Sequence, residues 1–170
     1  SRVAWFDSLH EKPQIVLWCA SEMDDPKPFV DELARLGNPA TLVQGVGSVH
    51  KNPEGALLRF RSLIAAKPAD TVAIVYVGRS NGAGPVFACD THVPVITVSP
   101  TVLKNPEDIW SSLNVPSNCP LNVQKYPANA VQTALGILAA RSPHAYLARR
   151  MIVEDAHLSS ANSPSYGKSC

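Results

Sequence analysis

Short β-branched apolar runs alternate with stretches of helical periodicity along most of this chain, and few folds accommodate that alternation. Gln14-Ile15-Val16-Leu17-Trp18-Cys19 is a continuous apolar run, the pattern of a strand buried on both faces of a parallel sheet. Asp25-Pro26 then supplies a cap and a first-turn proline, and Phe29, Val30, Leu33 and Leu36 recur at helical spacing until Gly37. A second strand is expected over Ala40 to Val46, a helix from Pro53 (Ala56, Leu57, Phe60, Leu63, Ile64), a third strand over Thr71 to Val77 and a fourth over Val93 to Val98. Val123 centres a short fifth strand, and Asn129 to Ala140 and Pro143 to Leu158 read as closing helices. Repeated βαβ units of this kind, with right-handed crossovers, imply an α/β protein.

The architecture expected is a three-layer, doubly wound parallel sheet, flavodoxin-like, in a single domain. With 170 residues and 45% hydrophobic content, there is material for one well-packed core. We place the domain at residues 13–158, with 1–12 as a junction or linker from a preceding domain, since Arg2 to Leu9 looks like the end of a helix. Residues 159–170, rich in Ser, Asn, Pro and Gly, read as a flexible tail. The formal charge of +1 is scattered, which argues against a nucleic-acid or membrane-surface partner. No apolar run approaches the roughly 18 residues of a membrane span, and no signal-peptide pattern opens the chain, so a cytoplasmic location is expected. Cys19, Cys89, Cys119 and Cys170 are far apart in sequence, without metal-ligand spacing, and read as reduced thiols with no metal site.

In open α/β sheets ligands lie beyond the carboxyl ends of the strands. The loops there are Ala20-Ser21-Glu22-Met23-Asp24, Ser48-Val49-His50-Lys51-Asn52-Pro53 and Gly78-Arg79-Ser80-Asn81-Gly82-Ala83-Gly84-Pro85. The glycine-rich loop lacks the G-x-G-x-x-G and P-loop patterns. Gly78-Arg79-Ser80-Asn81-Gly82 does satisfy G-x-S-x-G, the nucleophile elbow of α/β-hydrolases. A serine hydrolase is therefore one reading, with Ser80 as nucleophile and Asp108 and His144 or His157 as partners. Against it, no glycine-rich oxyanion loop precedes the elbow.

Taken together the three loops resemble those of the aminoimidazole ribonucleotide (AIR) carboxylase family. Ser48-Val49-His50-Lys51 is similar to that family's second loop, and Gly78 to Val86 to its third loop in animal-type members. Pro94-Val95-Ile96 and Asp108-Ile109-Trp110-Ser111-Ser112-Leu113 extend the resemblance, which runs from about Ile15 to Leu138. Lys51 and Arg79-Ser80-Asn81 resemble the class that uses carbon dioxide directly, whereas Ala128-Asn129-Ala130 is similar to a bacterial-class motif. Ala20, Met23 and Val49 depart from the family pattern, and a degenerate nucleotide-binding domain without turnover is a third reading.

The resemblance implies carboxylation of AIR by carbon dioxide in purine biosynthesis, without a cofactor. The reacting ring carbon is an enamine-type nucleophile, so the protein's task is to hold two partners together and receive a proton. The catalytic residues implied are His50, as proton acceptor, and Lys51, facing phosphate or the new carboxylate. Ser21 and Ser48 are implied phosphate contacts and Asp24 a ribose contact, although Ser and Asp before a proline-started helix are also ordinary caps. Arg79, Ser80, Asn81, Gly82, Ala83 and Gly84 are expected to shape the carbon dioxide pocket, with backbone N–H groups of the last three as carboxylate donors. Trp110 reads as a core or interface residue. The resemblance further implies a homo-octamer with sites between subunits and a fused SAICAR synthetase.

Overall fold

A computed structural model describes residues 1–161. Strands β1 (Gln14–Cys19), β2 (Thr41–Val46), β3 (Thr71–Tyr76), β4 (Val95–Val98) and β5 (Leu121–Val123) form one parallel sheet in the order β2-β1-β3-β4-β5. Helices α1 (Arg2–Leu9), α2 (Lys27–Arg35), α3 (Pro53–Ile64), α4 (Ala83–Asp90), α5 (Trp110–Leu113), α6 (Pro127–Leu138) and α7 (Pro143–Ala161) complete the chain. This is the doubly wound, flavodoxin-like arrangement expected from the alternating pattern. Strand ends differ from the expected ones by a residue or two, β4 most, because Pro94 precedes its first paired residue. The turn at Pro106–Ile109 and α5 were not foreseen, being too short to show a period. Helix α7 continues through the expected tail boundary at Ser159 to Ala161; the rest of that tail, with Cys170, lies outside the described residues.

Alternation within each strand builds two cores. Ile15, Leu17, Val72, Ile74 and Ile96 face α2, α6 and α7, whereas Val16, Trp18, Ala73, Val75 and Val95 face α3 and α4. Local chemistry sets the helix starts: the Asn52 side chain accepts from the Gly55 N–H at 3.0 Å and Pro53 takes the first position of α3.

The second core is organised by one aromatic cluster. Trp18, fully buried, meets Phe60 and Phe87 edge-on at centroid distances of 6.1 and 5.0 Å, and the two phenylalanines stack at 4.0 Å. Trp18 Nε1–H donates to the Gly47 carbonyl at 3.0 Å, which ties the start of the loop after β2 to the core. A methyl on Gly45 would stand 2.6 Å from both Trp18 and Leu63, so the indole leaves room there only for glycine. The neighbouring strand residues of β2 are half-buried or exposed, as befits an edge.

On the other face a polar chain ties three helices. Arg35 donates twice to Glu32, Gln132 Nε2 donates to Glu32 at 3.2 Å, and Arg149 donates to Gln132 at 3.1 Å. Hydrogen bonds from Arg35 hold the Glu32 carboxyl below its ordinary range. Helix α1, in the segment expected to be a junction, is packed: Phe6 meets His144 edge-on at 4.7 Å, and His144 Nε2 lies 2.9 Å from the His10 carbonyl.

Because Phe87 is both fully buried and the link between Trp18 and α4, Phe87→Ala should cost about 3–5 kcal/mol. Urea unfolding monitored by tryptophan fluorescence measures this; a loss below about 1 kcal/mol would mean that the cluster is not the organiser of this core.

Candidate active site

The loops after β1, β2 and β3 meet at the carboxyl edge of the sheet in a cleft of about 210 Å³. Ala20, Gly47, Ser48, Val49, His50, Val77, Gly78, Arg79, Ser80, Gly82 and Ala83 line it, drawn from all three loops. It lies at the topological switch point, where α2 leaves β1 toward one face and α4 leaves β3 toward the other.

Of the residues singled out from sequence, His50, Ser48, Arg79, Ser80, Gly82 and Ala83 are brought together here. A methyl built on Gly82 would sit 2.7 Å from His50 Nε2 and 2.8 Å from Cε1, so the imidazole rests on the bare Cα of Gly82. Gly82 has ordinary right-handed torsions (φ −87°, ψ −37°), so the missing Cβ matters there for the space the imidazole occupies and not for backbone conformation. Ser80 is the strained residue, with φ at 54°, a region costly for a residue bearing a Cβ.

Other expected site residues stand outside the cleft walls. The Asn81 side chain is buried: Nδ2 donates to Thr97 Oγ1 at 2.7 Å and Ser112 Oγ at 2.9 Å, while Oδ1 accepts from Gly84 N–H at 2.8 Å. The Gly84 N–H expected to face a carboxylate is thus already bonded to Asn81, leaving Gly82 and Ala83 at the head of α4 as the backbone closest to the cleft. Ser21 and Asp24 are engaged within their own loop, Ser21 Oγ accepting from Met23 N–H at 3.1 Å and Asp24 from Ser21 N–H at 3.0 Å. Neither caps α2, whose first turn is closed by Asp25 accepting from Lys27 N–H at 2.9 Å. Met23 is almost wholly exposed. Lys51 is exposed beside the cleft rather than in its wall.

The same geometry separates the residues of a hydrolase triad. His144 contacts His10, before β1, and so lies at the amino edge of the sheet, about 20 Å of strand away from Ser80. The segment of α7 carrying His157 runs beside Arg35 and Gly37, at the end of α2. Asp108 accepts from Thr101 Oγ1. Ser80 has neither histidine as a base. Trp110, at 58% exposure, is not a core residue.

Burial, with Asp24 adding to it, pushes the Cys19 thiol up to about 11, so this cysteine next to the cleft is a packing residue and not a nucleophile. Cys119 is likewise raised, by burial first and then by contact with Cys89, a pair that sequence separation had hidden. Among the described residues, no cluster of His, Cys, Asp or Glu could hold a metal ion, and no helix is long and apolar enough to cross a membrane.

Residues 14–158 match the family model for AIR carboxylase. The chain belongs to the AIR carboxylase family. It is 34% identical over 125 residues to the bifunctional phosphoribosylaminoimidazole carboxylase/phosphoribosylaminoimidazole succinocarboxamide synthetase of Drosophila melanogaster, covering 73% of this chain and 28% of that protein. The Homo sapiens protein of the same name is 37% identical over 124 residues, covering 72% and 28%. The chain therefore spans under a third of the length of these relatives. Among solved structures it is similar to Treponema denticola PurE, with a TM-score of 0.80, 21% identity, and coverage of 92% of this chain and 99% of that one. Membership accounts for the sequence resemblance in the second and third loops, and the Treponema structure for the fold.

The close contacts of Gly45 and Gly82 predict opposite responses to the same added methyl. Gly45→Ala meets the buried Trp18 and should cost about 1–3 kcal/mol of stability. Gly82→Ala meets the exposed ring of His50, which can swing aside, so stability should change by less than about 1 kcal/mol while the His50 imidazole resonances shift in NMR spectra. Unmoved His50 resonances in Gly82→Ala would show that the contact is absent in solution.

Proposed function

We propose that this chain carboxylates aminoimidazole ribonucleotide with carbon dioxide, giving carboxyaminoimidazole ribonucleotide for purine synthesis. The observation that carries the reading is the seating of the His50 imidazole on Gly82, at the head of α4 and inside the cleft. A proton acceptor and a helix N-terminus thus share one small space.

Carbon dioxide and the ring carbon react when held in contact, and the cleft's role is that positioning, for which several kcal/mol are available. As the C–C bond forms, negative charge grows on the new carboxylate. The Gly82 and Ala83 backbone at the positive end of α4, and Arg79, line the cleft and support the reading that these groups stabilise it. The ring carbon then sheds a proton, which His50 receives. Lys51 and Ser48 face the ribonucleotide's phosphate and Asp24 with Ser21 its ribose and phosphate; loop one must then exchange its internal hydrogen bonds for ligand contacts. Ser80 and Asn81 complete the carbon dioxide pocket, Ser80 by its hydroxyl and Asn81 through the loop it holds.

At about 210 Å³ the cleft is smaller than the 300–1,000 Å³ typical of small-molecule sites, which supports completion by another copy. Exposed Tyr146, Leu147, Met151, Val153 and Leu158 along α7 offer the apolar surface such contacts need. We propose a cytoplasmic octamer on this basis and on the family resemblance. The bifunctional relatives support a fused SAICAR synthetase as the partner that consumes the product.

His50→Asn should keep ribonucleotide affinity within a few-fold and lower turnover by about 10²–10⁴. Lys51→Ala should weaken binding as well, since a cation facing an anion acts in ground and transition states alike. Near-normal turnover in His50→Asn would assign the proton to another acceptor.

A further inference from the structure

We propose that Ser112 and Thr97 are positioning residues for the carboxylation, acting through Asn81 to hold the glycine-rich loop in its strained, site-forming shape. The proposal rests on the function argued above and adds to it two residues remote from the cleft wall.

Ser80 has a left-handed backbone, with φ at 54°. A left-handed backbone at a residue with a Cβ persists only where the surroundings over-determine it. Here the over-determination falls on the next residue. Asn81 N–H donates to Ser111 Oγ at 3.0 Å, and both Nδ2 hydrogens are used, on Thr97 Oγ1 and Ser112 Oγ. Its Oδ1 accepts from Gly84 N–H, so one side chain closes the turn 81–84 and ties it to β4 and α5. The partners are themselves held: Thr97 Oγ1–H donates to the Val75 carbonyl at 3.3 Å, and Ser111 Oγ–H to the Asp108 carbonyl at 3.1 Å. Asn81, Thr97 and Ser112 are all buried, at 7%, 1% and 5% exposure.

A buried amide hydrogen that loses its acceptor is costly, so the loop would move before tolerating one. The movement available is release of Ser80 into an ordinary conformation, which withdraws its hydroxyl from the cleft and lifts Gly82 from His50. The hydroxyls on β4 and α5 therefore act on the chemistry without touching the reactants. The separations of 16 and 31 residues from Asn81 explain why sequence spacing does not reveal them.

The test compares Ser112→Ala, Thr97→Val and Thr97→Ser in the full chain. Ser112→Ala and Thr97→Val should lower kcat by about tenfold or more with KM for the ribonucleotide within about threefold, whereas Thr97→Ser, which keeps the hydroxyl, should retain wild-type kcat. Hydrogen exchange followed by mass spectrometry should show residues 78–84 losing protection in the two impaired variants while α3 does not change. Wild-type kcat in folded Ser112→Ala, or Thr97→Ser as slow as Thr97→Val, would overturn the proposal. Absence of carboxylation in the wild-type protein would overturn the function and leave this inference to the exchange data, where unchanged protection of 78–84 in Ser112→Ala would overturn it too.

Discussion

Strands β1 and β3 are paired along all six residues, yet the chain leaves them in opposite directions, β1 for α2 on one face and β3 for α4 on the other. Right-handed crossovers leave no alternative once the order β2-β1-β3-β4-β5 is set. Two helices that diverge from adjacent strand ends cannot cover the space between them. The loops that bridge that space must satisfy their own polar groups, and they are the loops that carry His50, Arg79 and Ser80.

Each wall of the cleft is anchored by a different kind of force. The second loop hangs from the aromatic cluster, because the Trp18 indole N–H holds Gly47 and the apolar ring is itself locked between Phe60 and Phe87. Loop three depends on hydrogen bonds, with the Asn81 amide joining β4 and α5 to the head of α4. Loop one is the least anchored: its polar side chains bond only within the loop, and Met23 projects into solvent. A site with two rigid walls and one self-contained loop suits a reaction in which a small gas must be positioned and a nucleotide admitted.

The layers of the fold were legible in the sequence because apolar runs and helical periods are local signals, and Pro53 marked a helix start that the structure repeats. His50, Ser48, Arg79, Ser80 and Gly82 were legible for a different reason: the switch-point rule says where loops converge, and the loop motifs resemble one family. What was not legible depends on distance along the chain. The burial of Asn81 against Ser112, the docking of α1 through His144, and the meeting of Cys89 with Cys119 all join residues too far apart for any period to record. The inward turn of Asn81 takes its side chain out of the cleft lining and into the loop's support.

The central claim is that this fold, with no group beyond its own side chains and backbone, joins carbon dioxide to a ribonucleotide ring carbon. Its most direct test is to incubate the protein with aminoimidazole ribonucleotide and carbon-13-labelled bicarbonate, without ATP or biotin, and to follow the product by mass spectrometry and NMR. The account predicts a carboxylated ribonucleotide carrying the label on its new carboxylate, formed at a rate proportional to enzyme concentration. Folded protein that binds the ribonucleotide yet forms no labelled product at any carbon dioxide concentration would contradict it.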